Sequence, residues 1–223
     1  MERRIEQELE GLKGLLLTMA GEVERQLALA VRAVVERDDA AASAVIAADA
    51  GIDQREIEVD RRIIELIVRE RLLARDLRLV ITAGKIAPDL ERVADHAVNI
   101  AEQALLLNRQ PPLKPFVIMP RMARLASAMV RDAISAFVAG DAAAARRVVA
   151  QDDDVDAMHE EIFRELLTYM MEDARTIPRA LALLLIARSL ERVADQATNI
   201  SEQVVYLVEG EDIRHQRPEG SRD

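Results

Sequence analysis

The 223-residue sequence predicts an all-α protein built as two tandem, internally duplicated three-helix bundles. Two observations carry this expectation. Apolar residues recur at steps of three and four along most of the chain, the period of a helix with one buried face, and neither half shows strand-like alternation. A thirteen-residue stretch also occurs almost twice: ERVADHAVNIAEQ at 91–103 and ERVADQATNISEQ at 191–203 are offset by 100 residues and identical at ten positions. The duplication extends outward. VIAADAGID (45–53) aligns with VVAQDDDVD (148–156), and Ala74-Arg75 with Ala174-Arg175.

The first unit is expected over residues 1–108. Ile5, Leu9, Leu12, Leu16, Met19, Val23, Leu27, Ala30 and Val34 trace one face of a long first helix ending near Asp38 and Asp39. Ile52, Val59, Ile63 and Leu66 point a second helix inward, with a break around Leu72 to Arg75. Asp76 is then placed to cap the third helix, whose seam runs through Ile86, Leu90, Val93, Ala97, Ile100, Ala104 and Leu107. Three prolines between Asn108 and Pro115 interrupt any helix and mark the linker. The second unit, 116–212, restarts the pattern with Met122, Ala126, Met129, Ala133 and Phe137 on a fourth helix. Gly140-Asp141 ends that helix and caps the next, in which Val155, Met158, Ile162, Leu166 and Tyr169 face inward. Thr176 and Pro178 suit the first turn of the sixth helix, whose seam of Ile186, Leu190, Val193, Ala197, Ile200, Val204 and Leu207 repeats that of the third.

Composition narrows the chemistry. Half the residues are apolar, enough for a sizeable core, while aromatics make up 2% and tryptophan is absent, which favours helix packing over an aromatic-lined pocket. The lack of cysteine excludes disulfides, thiolate nucleophiles and Cys-based metal sites, and fits a reducing cytosol. A formal charge of −10 argues against nucleic acid as the main partner. No signal-peptide pattern and no apolar run of membrane-spanning length is visible, so membrane association is expected only through partners.

The repeated stretch carries Glu91, Asp95 and Glu102 in one copy and Glu191, Asp195 and Glu202 in the other. At 100° per residue each trio falls within about 40° on its helix, opposite the apolar seam. A solvated face needs charge but not the same residues, so retention of these acids in two diverged halves points to a task. Carboxylates at i and i+4 repel one another, and a bound cation reverses the sign of that interaction. The neighbouring helices add Asp49, Asp53, Glu56 and Asp60 in the first unit and Asp152 and Asp156 in the second, so facing acidic helices can offer all-oxygen sites for Mg²⁺, Mn²⁺, Ca²⁺ or oxidised iron.

Other chemistry finds little support. Glu-x-x-His, the di-iron bundle signature, is absent from both repeats, and His96 is replaced by Gln196 in the second copy, which favours an exposed polar residue over a ligand. His159 is a candidate extra ligand beside Asp152 and Asp156. No phosphate-loop motif occurs, and Ser127, Ser135, Ser189 and Ser201 have no histidine nearby in sequence and read as small helix residues. Arg75 and Arg175, repeated in the turns before the third and sixth helices, either cap carbonyls there or contact a partner.

ERVADHAVNIAEQ, ERVADQATNISEQ and LLTYMMEDARTIPRAL (166–181), with DLRLV (76–80) and VVYLVEGEDIRH (204–215), resemble the PhoU family of phosphate-signalling regulators. The resemblance spans Met19 to His215. It implies a duplicated three-helix bundle that binds multinuclear metal clusters through its E/DxxxD acids. Carried over by position, those acids are Glu91, Asp95, Glu191 and Asp195, with Asp49, Asp53, Asp152 and Asp156 as additional ligands for iron, manganese or magnesium. It also implies a non-enzymatic negative regulator of the phosphate-starvation response. Such a protein would act as a homodimer in the cytoplasm, at the inner face of the membrane, between the phosphate ABC transporter ATPase and a sensor histidine kinase. Apart from the resemblance, the repetition of Arg75 and Arg175 at corresponding turns makes them the expected partner-binding residues. The competing expectations are a carboxylate-site metalloenzyme, a metal-storage protein, and a helical repeat with unused acidic faces.

Overall fold

The computed structural model describes residues 2–114 and 116–213, with side chains from Arg4 onward; the end of the resemblance at His215 lies outside the described residues. Among the described residues the chain is helical with no strand. The first unit comprises α1 (Glu2–Val35), α2 (Asp39–Arg69) and α3 (Ala74–Asn108). The second comprises α4 (Ile118–Ala139), α5 (Ala142–Val149), α6 (Asp152–Glu172) and α7 (Ile177–Glu209). No helix among them is long and apolar enough to cross a membrane.

The 3-4 seams fold as the sequence predicts. Leu9 through Val34 on α1 and the seven seam positions on each of α3 and α7 are buried, as are Ile52, Val59 and Leu66 on α2 and Val155, Ile162 and Leu166 on α6. The buried seams of both units merge into one connected core. The two are joined where α3 and α7 lie against each other, with a smaller contact between α1 and α4. The start of α3 (Arg75, Arg78, Leu79) shares a crevice with the end of α7 (Leu207, Val208), so these two helices run antiparallel.

Several boundaries differ from the expectation for identifiable reasons. The turn between α2 and α3 occupies 70–73. Leu73 is the N-cap residue of α3, without a side-chain hydrogen bond, and Asp76 sits inside the first turn, where its charge favours the helix N-terminus without capping it. Asp38 does cap α2, accepting from the Ala41 N–H at 2.9 Å, and Asp141 caps α5 through Ala144 at 2.9 Å. In the second unit the long arm is broken. Residues 39–69 form one helix, but the corresponding 142–172 split at Ala150-Gln151 into α5 and α6. Asp152, Asp153 and Asp154 then crowd the first turn of α6, where a fresh helix N-terminus accommodates them better than a helix interior would. Thr176 precedes α7 but turns its hydroxyl back to the Tyr169 and Asp173 carbonyls, closing a 3-10 turn at Ala174–Thr176.

The ends of the units are tied down. Arg37 occupies the left-handed region at φ 58° and donates to the carbonyls of Leu107, Asn108 and Gln110, satisfying the C-terminus of α3. The connection between units is pinned by a Lys114–Glu165 ion pair and by Arg179 donating to the Pro111 carbonyl at 3.0 Å. Gly140 ends α4 in the left-handed conformation, as its sequence position predicts. Phe137, one turn earlier, is among the largest fully buried side chains. Phe137→Ala should therefore lower unfolding stability by about 3–5 kcal/mol, read as a lower urea midpoint at unchanged m-value.

Candidate functional site

The acids chosen from sequence lie along two grooves, one between α2 and α3 and one between α6 and α7. In the first, Asp49, Asp53 and Glu56 of α2 face Glu91 and Asp95 of α3. Burial raises the Glu91 carboxyl above the usual range, and repulsion from Asp95, Glu56 and Asp53 raises it further. Asp49 is raised by burial and then by Asp53 and Asp95. Glu56 follows the same pattern, with Asp60 and Asp53 as its strongest acidic neighbours and Arg92 pulling the other way. These effects cross from helix to helix, so the expected juxtaposition is present in the fold.

In the second groove, Asp152 is pushed up to about 6 by burial and by Asp195 and Asp156. Asp156 is raised by burial, Asp195 and Asp153, with His159 opposing. The Thr198 hydroxyl lies near enough to Asp152 to lower its value, but not in hydrogen-bonding geometry: Thr198 Oγ1 and Asp152 Oδ1 are both buried without a partner. Asp195 is held by Arg192 at 2.9 Å. Glu191 is half-buried on α7, one turn before Asp195.

The donor chemistry fits a hard cation. Both grooves present carboxylate oxygens whose mutual repulsion an ion would relieve, and the second holds a buried carboxylate oxygen with no hydrogen-bond donor. Among the described residues, however, no group of three or more His, Asp or Glu side chains is arranged to hold an ion, so loading either groove requires side chains to re-orient.

Arg75 and Arg175 are both exposed, but they are held differently. Arg175 is locked to Asp173, its Nε donating to the carboxylate at 3.0 and 3.1 Å. Arg75 makes no ion pair among the described residues and borders the crevice between the start of α3 and the end of α7, with Lys13 and Arg78. Beside these turns lie apolar side chains that sequence periodicity did not single out. Ile64, Val68, Leu77 and Ile81 are exposed in the first unit, and Leu167, Met171, Ile177 and Leu181 are exposed at the corresponding positions of the second. Eight exposed apolar residues at four duplicated positions are what contact with another surface would retain.

His96 corrects its sequence reading. It is half-buried at the junction of α3 and α7, with its basicity lowered by burial and by Arg192 against the pull of Asp95 and Asp195. It shares a crevice with Ser189, so one of the serines that lacked a histidine in sequence has one in space. The missed signal is a spacing of seven: Thr82, Asp89, His96 and Gln103 on α3 correspond to Ala182, Ser189, Gln196 and Gln203 on α7. Seven residues is close to two helical turns, so each set forms one row on its helix.

Comparison with known proteins agrees with the duplicated architecture. The family model described as PhoU domain matches twice, over residues 16–104 and 119–204. The chain is 40% identical over 209 residues to the phosphate-specific transport system accessory protein PhoU homolog of Aquifex aeolicus, covering 94% of this chain and 95% of that one. To the PhoU accessory protein of Escherichia coli it is 38% identical over 208 residues, covering 93% and 86% of the two chains. The crystal structure of PhoU from Pseudomonas aeruginosa superposes with a TM-score of 0.89 at 38% identity, covering 92% of this chain and 99% of that one. The two acidic grooves thus lie in two copies of one domain, and the chain belongs to the PhoU family.

Proposed function

We propose that this protein is a non-enzymatic accessory regulator of phosphate transport that restrains the phosphate-starvation response, coupling the transporter's ATPase to a sensor histidine kinase. The observation that carries the reading is the double match to the PhoU domain over both units, together with relatives named as phosphate-specific transport system accessory proteins. The duplicated exposed apolar positions beside Arg75 and Arg175 support a role in docking, because exposed apolar side chains kept in both units suit contact with a partner surface. The same reading places a homodimer at the cytoplasmic face of the membrane, held there by its partners. Deletion of the gene should switch on phosphate-starvation genes in phosphate-replete medium; normal repression in the deletion strain would reject the assignment. Arg75→Glu combined with Arg175→Glu should weaken co-purification with the ATPase or the kinase while leaving helicity unchanged.

Iron, manganese or magnesium belongs to the same proposal. Asp49, Asp53, Glu91 and Asp95 would hold an ion in the first groove, and Asp152, Asp156, Glu191 and Asp195 in the second. The ion would supply charge neutralisation, turning repulsion across each groove into attraction between its helices. The Asp152 carboxyl makes this measurable. Its value in the folded protein, about 6, exceeds the ordinary 3.8, so the folded state holds the proton more tightly. The stability cost is absent below pH 3.8, grows through the interval to about pH 6 and persists above it. Chelator-treated protein should therefore lose part of its thermal stability across this interval, and Asp152→Asn should reduce that loss, leaving the share of the likewise raised Asp89, and raise the Tm at neutral pH. Manganese added at neutral pH should raise the Tm of the native protein more than that of Asp152→Asn. A Tm unmoved by magnesium, manganese and iron would reject the metal role.

A further inference from the structure

The junction of α3 and α7 contains a crevice of about 390 Å³ lined by His96, Asn99 and Gln103 from α3 and by Leu185, Arg188, Ser189 and Arg192 from α7. Its chemistry is one-sided. Every polar group in it can donate a hydrogen bond, and none is a carboxylate. Arg192 is committed to Asp195, but Arg188 makes no ion pair or hydrogen bond among the described residues, and neither do the side chains of Asn99, Gln103 and Ser189 as donors within the crevice. His96 Nδ1 is buried without a partner. In a chain of net charge −10, an unpaired guanidinium beside so many free donors is the opposite of the surrounding acidic grooves.

The duplication supplies an internal control. One hundred residues away, Arg188 corresponds to Pro88, Ser189 to Asp89, His96 to Gln196 and Leu185 to Lys85, whereas Asn99, Gln103 and Arg192 recur as Asn199, Gln203 and Arg92. At the corresponding positions two of the donors are occupied: Arg92 pairs with the buried Asp89 at 3.2 Å, and Asn199 donates to Gln196 at 3.4 Å. A carboxylate there satisfies the guanidinium internally and would repel an anion. Four substitutions, Leu185 for Lys85 among them, thus separate a junction that carries its own carboxylate from one whose Arg188, Ser189, Asn99 and Gln103 await an acceptor.

We propose that the His96–Arg188–Ser189 crevice binds a phosphate group, one site per chain, either as inorganic phosphate or carried by a nucleotide. Arg188 supplies the charge, and Ser189, Asn99, Gln103 and His96 supply the surrounding hydrogen bonds. The inference stands on the donor arrangement and not on the regulatory reading, which a failure here would leave intact.

The test is calorimetric titration of the full chain, treated with chelator so that no cation can recruit the anion to the acidic grooves. Inorganic phosphate and ATP are titrated separately. Saturable one-to-one binding of either supports the site, and the arm that saturates at the lower concentration identifies the source. Arg188→Gln, at an exposed position, should weaken binding on the order of tenfold or more through loss of a charge-assisted contact. Ser189→Asp, which restores the carboxylate of the other junction, should weaken it at least as much, while Ser189→Ala should cost less. Circular dichroism of each variant establishes that the helices are retained. Absence of saturable binding in both arms, or binding by Arg188→Gln and Ser189→Asp at native strength, would overturn the proposal.

Discussion

The antiparallel contact between α3 and α7 is the constraint on which the rest of the architecture hangs. Each of these helices must complete the core of its own unit with one face and meet its counterpart with another. Neither therefore has the single narrow apolar stripe of a surface helix. The row meeting the counterpart is largely polar, including buried Thr82, Asp89, Ser189, Gln196 and Gln203. Polar groups at such a junction cost stability, since burying them without good partners is unfavourable, but they select one register among many sliding alternatives that an all-aliphatic contact would permit. With the register fixed, the remaining faces are assigned: the seam to α1 or α4, and the acids toward α2 or α6.

That assignment explains how two opposite electrostatic environments coexist within a few helical turns. On α3, Glu91 and Asp95 open toward α2, while His96, one residue on and rotated by about 100°, turns to α7. The corresponding positions of α7 separate Asp195 from Gln196 in the same way. Acidic grooves lie on the outer flanks of the motif helices and the donor-rich crevice lies between them. Arg192 sits on the border, its guanidinium bound to Asp195 and its position lining the crevice. Local sidedness, not the net charge of the chain, decides what each surface can attract.

The fold class, the duplicated seams and the pairing of acidic faces were legible because they depend on periodicity and repetition, which a sequence displays directly. The break at Ala150-Gln151 was not: both segments carry a helical pattern, and nothing in the spacing of apolar residues distinguishes one long helix from two with a kink. Asp76 resembled an N-cap because aspartate caps many helices, but the turn ends earlier and leaves it inside the first turn. The crevice was hidden for a different reason. His96 and Ser189 are 93 residues apart, and only an antiparallel register of α3 on α7 brings them together. The clue that was available, the sevenfold spacing of polar residues, is meaningful only once a second helix is known to pack there. Whether the acids gather around an ion was equally beyond sequence, since it depends on side-chain rotamers and not on helix faces.

The covalent joining of the two units has a consequence for symmetry. Antiparallel packing of two equivalent helices is the geometry that a two-fold dimer of separate three-helix chains would adopt, and in such a dimer any residue on the interface appears twice. A favourable group on one side would be mirrored on the other, so the dimer could carry two equal junctions or none. The Lys114-pinned connection removes that bond between the halves. Once both copies belong to one chain, position 89 can keep its carboxylate while position 189 loses it, and the interface is free to become polar in two different senses. Fusion thereby turns an enforced equality into a place where two halves of one fold can take different roles.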